Sequence, residues 1–416
     1  MSLNSTPSGE RPHISFFGCR NAGKSSLINS VTGQRLSIVS DIKGTTTDPV
    51  YKAMELLPAG PVMIVDTPGL DDEGELGALR IKKALEVLRK TDLAILVIDG
   101  SVGLTDRDEM ILNKIRERKI NYIPVMNKSD LVSGDGKTQL PGRSTSNPGD
   151  SEKTAESPAV DMVPFMRVSA LTGEGIQELK EKIAFLINSS DSHKPIVGDL
   201  VQPVDLVVLV VPIDKAAPKG RIILPQQQVI RDLLDHGAIS MVVRDSELSG
   251  VLEKFGQEIR MVITDSQAFK KVSEIVPLNI PLTSFSILFA RYKGELEIQK
   301  QGLSAIKNLQ DSDIVLIAEG CTHHRQCGDI GRDKIPSLVK KLCGHEPEFI
   351  WTSGTEFPED LSRVKVVIHC GGCMLNEQEM KARIQMAAKE HVPITNYGMT
   401  IAMATGVLER SLKALD

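Results

Sequence analysis

The sequence predicts an α/β chain of three domains, each built on a largely parallel sheet. Three observations carry that reading. Apolar strand-length runs alternate with helix-like stretches over residues 12–190 and again beyond residue 200. A glycine-bounded loop containing a lysine joins the apolar run Ile14-Ser15-Phe16-Phe17 to a helix-compatible stretch. Five of the six cysteines fall between Cys321 and Cys373, far from that loop.

The loop reads Gly18-Cys19-Arg20-Asn21-Ala22-Gly23-Lys24-Ser25, and Ser26 opens the helix behind it. A strand, a glycine-bounded turn and a helix start form an anion nest of backbone N–H groups. Lys24 is placed to reach β- and γ-phosphates, and Ser25 to offer its hydroxyl to Mg²⁺. Without the flanking strand and helix, the same residues would read as a tight turn with a solvated lysine.

Further along, Val62-Met63-Ile64-Val65 runs into Asp66-Thr67-Pro68-Gly69. The Asp66 carboxylate suits the Mg²⁺ shell, and the Gly69 N–H suits a γ-phosphate. The run Tyr122-Ile123-Pro124-Val125-Met126 leads into Asn127-Lys128-Ser129-Asp130. A carboxylate at Asp130 accepts two hydrogen bonds from the N1–H and N2–H₂ edge of guanine, a donor pair adenine lacks. Ser169-Ala170-Leu171 supplies backbone contacts to the guanine oxygen. Each tetrapeptide alone is weak, since Asp130 could cap a helix and Ser169 could sit in a turn. Four in order specify a guanine-nucleotide site on a P-loop GTPase sheet.

The segment Gly44-Thr45-Thr46-Thr47-Asp48 resembles the switch element of bacterial GTPases related to TrmE and Era, with Thr47 where arginine is usual. The resemblance implies that Thr46 ligates Mg²⁺ and that Asn21 helps hold K⁺ against the phosphates. On composition alone, Asn21 is as well read as a local loop-to-backbone hydrogen bond. Ras-like GTPases orient the attacking water with a glutamine directly after Gly69. Here the position is Leu70, so another element must supply charge and place the water. Lys24, Thr46 and Asn21 are the catalytic candidates.

Composition fits a multidomain protein of 416 residues with a net charge of -5. An acidic balance argues against a general nucleic-acid or membrane-surface binder. No apolar run reaches membrane-spanning length, and the polar start does not read as a signal peptide. The expectation is a cytoplasmic protein whose cysteines are reduced, catalytic or metal-bound.

The expected domains are 1–192 for the nucleotide sheet, 200–280 for the middle domain and 281–416 for the last. Residues 133–158, rich in Ser, Gly, Asp, Lys and Thr, read as a disordered insert between Asp130 and Ser169. The middle domain shows strand-like runs at 205–211, 239–244 and 260–264, separated by amphipathic stretches at 226–235 and 248–255. It carries no phosphate loop or metal-ligand cluster, and His236 and Asp214 read as surface or turn residues. A scaffold or dimerisation role is the default.

In the last domain, strand-like runs end in Glu319-Gly320-Cys321-Thr322-His323-His324, in His369-Cys370-Gly371-Gly372-Cys373 and in Asn396-Tyr397-Gly398. Helix-like stretches at 335–342 and 376–390 lie between them. Ligands gather outside the carboxyl ends of parallel strands. Cys321, Cys370 and Cys373 therefore converge on one crevice across 48 intervening residues. Three thiolates suit a zinc completed by His323 or His369, or a 4Fe–4S cluster with one open iron, in roughly even balance. A redox CxxC pair explains Cys370 and Cys373 but not Cys321. Cys343 reads as a buried small apolar residue, whereas Cys327 is close enough to reach the same metal.

With Cys-Thr-His, then 46 residues, then Cys-Gly-Gly-Cys behind a GTPase domain, the whole chain resembles the HydF family of FeFe-hydrogenase maturation GTPases. Gly328-Asp329-Ile330-Gly331-Arg332 and Pro393-Ile394-Thr395-Asn396-Tyr397-Gly398 match it as well. The resemblance implies a middle dimerisation domain, a homodimer, and a 4Fe–4S cluster on Cys321, Cys370 and Cys373. His323 would then be the fourth or a nearby ligand. The implied task is to receive a di-iron precursor from radical-SAM maturases and hand it to apo FeFe-hydrogenase. The alternative is a TrmE- or Era-like GTPase in tRNA modification or ribosome assembly, with a structural zinc. Against it stand the acidic balance and the lack of a KH-type GxxG loop with basic neighbours in the last domain.

Overall fold

The computed structural model describes residues 8–34, 48–70, 74–132, 164–190, 195–212, 222–320, 329–354 and 356–415. Thr45, Thr46, Thr47, Asp214, Cys321, His323, Cys327 and the insert at 133–158 lie outside them. The chain divides into two compact units, Met1–Ser192 and His193–Asp416.

The first unit holds six strands: β1 (His13–Phe17), β2 (Val50–Leu56), β3 (Gly60–Asp66), β4 (Leu93–Asp99), β5 (Asn121–Asn127) and β6 (Met166–Arg167). Their order is β2-β3-β1-β4-β5-β6. The sheet is mixed rather than wholly parallel, because the edge strand β2 runs antiparallel to β3. Strand periodicity explains the two cores. Ile14, Phe16, Ile95 and Val97 pack on one face, while Phe17, Ala94, Leu96 and Ile98 pack on the other. Continuous apolar strands covered on both faces are what a doubly wound sheet requires. The chain crosses from β3 to β4 on either side of β1, so the loop after β1 opens at the switch point.

The second unit holds two four-stranded parallel sheets. One contains β7 (Leu206–Val210), β8 (Ile239–Val243), β9 (Ile259–Thr264) and β10 (Leu282–Ser284), in the order β10-β9-β7-β8. The other contains β11 (Ile314–Ala318), β12 (Glu348–Thr352), β13 (Val364–His369) and β14 (Ile394–Asn396), in the order β12-β11-β13-β14. Strand β10 extends the first of these sheets past residue 280, where a boundary was expected.

The two sheets share one topology. Each has its first strand between its second and third, and each shows a register shift at the start of that first strand, at Leu206/Val207 and at Ile314/Val315. The fourth strands read Pro281-Leu282-Thr283-Ser284-Phe285 and Pro393-Ile394-Thr395-Asn396-Tyr397. In each, the fourth residue caps the next helix: Ser284 Oγ accepts from Ile287 N–H, and Asn396 Oδ1 accepts from Met399 N–H. The second unit is thus an internal repeat. Its copies share a core containing Val208 and Val262 from one sheet and Val315, Ile317 and Val366 from the other.

Candidate functional site

In the first unit the phosphate loop is shaped by sterics. Gly18 has φ +143°, and a Cβ there would stand 2.1 Å from the Val97 carbonyl oxygen. Gly23 has φ +88°, and a Cβ there would stand 2.3 Å from Asn127 Nδ2. Both positions demand glycine. Lys24 begins the helix Lys24–Thr32, is buried, and donates to the carbonyls of Gly18 (2.9 Å) and Cys19 (2.8 Å). Its ammonium is therefore drawn back over the loop rather than loose in solvent. Asn21 is exposed in the left-handed region at φ 62°. Cys19 Sγ lies 3.3 Å from Thr105 Oγ1, so the loop is also tied to the capping residue of the helix Asp106–Glu117.

Strand β3 delivers Asp66 to the same place. Ser25 Oγ donates to Asp66 Oδ2 at 2.7 Å, so the two groups expected around Mg²⁺ already meet. This oxygen pair fits a hard cation, and Mg²⁺ bound there would neutralise phosphate charge. Gly69 approaches the loop so closely that a Cβ would lie 2.9 Å from Arg20 Cα. Leu70 is fully buried in the core with Val65 and Leu96, so it orients no water. Thr46 lies outside the described residues.

Asn127 joins the glycine loop to the Ser169–Ala170 segment expected at the base. Its Nδ2 donates to the Ala22 carbonyl at 2.9 Å, and its Oδ1 accepts from the Ala170 N–H at 3.1 Å. Ser169 Oγ donates to Asp130 Oδ1 at 2.5 Å, which fixes the carboxylate that would face guanine. Lys128 Nζ pairs with Asp99 Oδ2 at 2.5 Å, a partner that sequence reasoning missed. Asp99 ends β4 beside β5, so strand-end position was the signal for it. Apart from Thr46, the predicted nucleotide residues come together around the ends of β1, β3 and β5 and at Ser169.

In the second unit, β11 and β13 are neighbours and bring Gly320 against Cys370. The Cys370 Sγ accepts N–H bonds from Gly320 (3.0 Å) and Gly372 (3.4 Å). Gly372 adopts φ +63°, which turns the chain back toward Cys373. Burial pushes the Cys370 thiol up to about 11, against the pull of those two N–H donors. Burial also raises Cys373, opposed by the nearby Lys293 charge. A half-buried sulfur with N–H donors aimed at it suits a thiolate once a metal displaces its proton. Among the described residues no three metal-ligating side chains converge; Cys321, the third expected thiolate, lies outside them.

His369 is not available to complete a zinc site. It is fully buried, with Nδ1 bonded to the Cys370 carbonyl at 2.8 Å and Nε2 to Arg383 Nη1 at 3.0 Å. A carbonyl only accepts, so Nδ1 carries the proton and Nε2 accepts from the guanidinium. Burial, with Arg383 beside it, lowers the imidazole to about 3 and keeps it neutral. The expectation that His369 could close a tetrahedron is therefore corrected. Arg383 also bonds Glu379 and the Gly354 carbonyl, which makes His369 part of a buried structural network.

Tyr397 OH donates to Glu319 Oε1 at 3.2 Å, so the ends of β11 and β14 meet across the crevice. Sequence reasoning missed Lys293, whose ammonium bonds the carbonyls of the cysteine turn. No local motif marks it. His236 caps the helix Leu224–Asp235 from the surface, as expected of a turn residue. Cys343 ends the helix Ile335–Cys343, half-buried.

Comparison with known proteins places these features. Residues 13–128 match the model of the 50S ribosome-binding GTPase family. The GTPase Der of Kosmotoga olearia is 32% identical over 187 residues, covering 44% of this chain and 40% of the relative. The tRNA modification GTPase MnmE of Desulfotalea psychrophila is 33% identical over 180 residues, covering 42% of this chain and 34% of the relative. The chain thus spans two fifths or less of these curated relatives. The crystal structure of Aquifex aeolicus Era bound to GDP and aluminium fluoride is 19% identical, with a TM-score of 0.33, covering 56% of this chain and 92% of that one. At that score the strand order above, not the overlap, defines the fold.

The second unit matches differently. Residues 196–294 match the hydrogen maturase F dimerization domain, and residues 297–414 match the hydrogen maturase F tetramerization domain. No helix among the described residues is long and apolar enough to cross a membrane. With both maturase F domains in order behind a GTPase domain, the chain belongs to the HydF family of hydrogenase maturases.

Proposed function

We propose that this chain is a GTP-hydrolysing scaffold and carrier that binds a 4Fe–4S cluster and delivers a di-iron precursor to apo FeFe-hydrogenase. One observation carries the reading. Apart from Thr46, the residues expected to take guanine nucleotide come together in the first unit, while in the second the half-buried Cys370 sulfur accepts two backbone N–H bonds beside Cys373. The two sites are built from separate elements.

For turnover, Lys24 and the loop N–H groups bind phosphates, Ser25 and Asp66 hold Mg²⁺, and Asp130 reads the base. With Leu70 buried, charge at the γ-phosphate falls to Lys24, Thr46 and a K⁺ held by Asn21. In the second unit, Cys321, Cys370 and Cys373 hold the cluster, with His323 at or near the fourth position. The bound cluster supplies an iron site with an exchangeable coordination position. The dimerization and tetramerization domains support a homo-oligomer. Radical-SAM maturases and apo FeFe-hydrogenase are the proposed partners, the cytoplasm the proposed compartment, and neither nucleic acid nor membrane belongs to the reading. Of the two histidines that could complete a zinc site, His369 has both nitrogens engaged, which leaves that alternative His323 alone.

Anaerobic purification tests this reading. A brown protein with broad visible absorption and GTP turnover is the expected result. A colourless protein containing zinc would restore the alternative.

A further inference from the structure

Lys293 ends the helix Phe285–Lys293 and is 2% exposed, a rare state for a lysine. Its ammonium donates to the carbonyl oxygens of Leu375 (2.7 Å), Cys373 (3.2 Å) and Gly372 (3.3 Å). All three belong to the turn that carries the paired cysteines. The Phe289 ring lies 5.6 Å from Nζ and adds an apolar wall with an electron-rich face. An ammonium has three donors, and three carbonyls of one turn converge on them.

The internal repeat supplies a comparison within the same chain. Counting from the caps Ser284 and Asn396, the position equivalent to Lys293 is Thr405. The Thr405 hydroxyl bonds the Ile401 carbonyl of its own helix. A lysine at the end of this helix is therefore not needed by the shared fold. Burying an ammonium costs several kcal/mol unless strong partners compensate, whereas a neutral donor would tie down carbonyls without that cost. What distinguishes Lys293 is its charge, placed against the turn of Cys370 and Cys373.

We infer that Lys293 is a positioning residue for the iron–sulfur centre, fixing the turn from Gly372 to Leu375 and setting its ammonium beside the thiolate ligands. The inference rests on the cluster reading above. Three thiolates on an iron–sulfur core carry net negative charge, and reduction adds one more. A buried cation beside them favours the reduced state and raises the potential. Lys293 touches no reacting atom; it acts through the turn and through its field.

The test uses the full chain, anaerobically reconstituted, with iron and sulfide analysis, redox titration by electron paramagnetic resonance, and GTP turnover as a control. Lys293→Met is expected to keep GTP turnover and shift the midpoint potential negative, by about 59 mV for each tenfold loss in the reduction equilibrium. Lys293→Arg is expected to move it back toward wild type. If the methionine variant loses the cluster and the arginine variant regains it, the positioning role also stands. Should Lys293→Met fail to fold by circular dichroism, Lys293→Gln keeps a donor, removes the charge and gives the same measurement. Wild-type iron content and potential in the uncharged variant would overturn the inference. So would loss of the cluster from folded methionine and arginine variants alike, which would leave Lys293 a packing role. If the wild-type chain itself holds no iron–sulfur cluster, the failure lies in the underlying reading instead.

Discussion

The side-chain nitrogen of Asn127 lies 2.3 Å from where a β-carbon on Gly23 would stand. One residue of the Asn127–Asp130 element thus packs directly on the glycine loop, and its hydrogen bond to the Ala22 carbonyl locks the two together. Gly23 is also left-handed at φ +88°. Gly23→Ala combines a clash with backbone strain of about 1–3 kcal/mol. The expected result is a 10- to 100-fold loss of GDP and GTP affinity by calorimetry, with the fold of the second unit retained. Unchanged affinity would mean that the loop is not the nucleotide cradle.

The proposed reader of the base is Asp130, which accepts from Ser169 Oγ at 2.5 Å. Asp130→Asn replaces an acceptor with an amide that can donate. Preference should move from GTP toward xanthosine triphosphate, by about 100-fold or more in the affinity ratio. Equal GTP affinity in the variant and the wild type would remove Asp130 from the base site.

Leu70 is buried where Ras-like GTPases present a water-orienting glutamine, and Asn21 is exposed in the loop. Turnover should therefore be slow and faster in K⁺ than in Na⁺ at constant ionic strength. Asn21→Ala should abolish that difference. Indifference of the wild-type rate to the cation would refute the K⁺ role.

Stability should depend on pH through His13, which burial lowers to about 4 despite its bond to the Arg11 carbonyl. Below the ordinary value of 6.5, the unfolded chain takes up a proton that the folded chain refuses until about pH 4. The stability of the first unit is thus complete above pH 6.5 and falls as pH drops toward 4. The loss amounts to about 3 kcal/mol at 1.36 kcal/mol per unit. Urea denaturation of the full chain across that range, followed in wild type and His13→Gln, measures it; an equal slope in both would exclude His13 as the source.

The GTPase domain was legible because its motifs are local. The residues expected to take phosphate, metal and base each lie in a short motif at a strand end, and β1, β3 and β5 deliver those ends to one place. The strands of the second unit were legible where apolar runs were long, as at β7, β11 and β13. Two others were not. β10 holds three residues and β12 mixes Glu348 and Thr352 with its apolar residues, so neither was read, whereas the equally short β14 was read from the run ending at Asn396. The repeat lay in plain sight in Pro281-Leu282-Thr283-Ser284 and Pro393-Ile394-Thr395-Asn396, but substitution at alternate positions hides it from motif reading. Lys293 was invisible because its role depends on the tertiary contact between a helix end and a turn about 80 residues away. His369 misled for the opposite reason. Adjacent to Cys370, it looks like a ligand in sequence, yet as the last residue of β13 it turns into a buried bond with Arg383.

The most direct test of two separate sites on one chain is iron content and GTP turnover measured on the same preparation of Cys370→Ala. Cys370 supplies a sulfur that accepts N–H bonds from Gly320 and Gly372, and it lies in a unit distinct from the phosphate loop. Removing it leaves two cysteine sulfurs, too few to hold a cubane. Cys321→Ala and Cys373→Ala should behave alike, while Cys327→Ala and Cys343→Ala keep the cluster. The account predicts that Cys370→Ala, anaerobically reconstituted, loses the iron signal while GTP turnover stays within about twofold of wild type, since substitutions remote from a site leave it nearly unchanged. Full iron content in Cys370→Ala would contradict it.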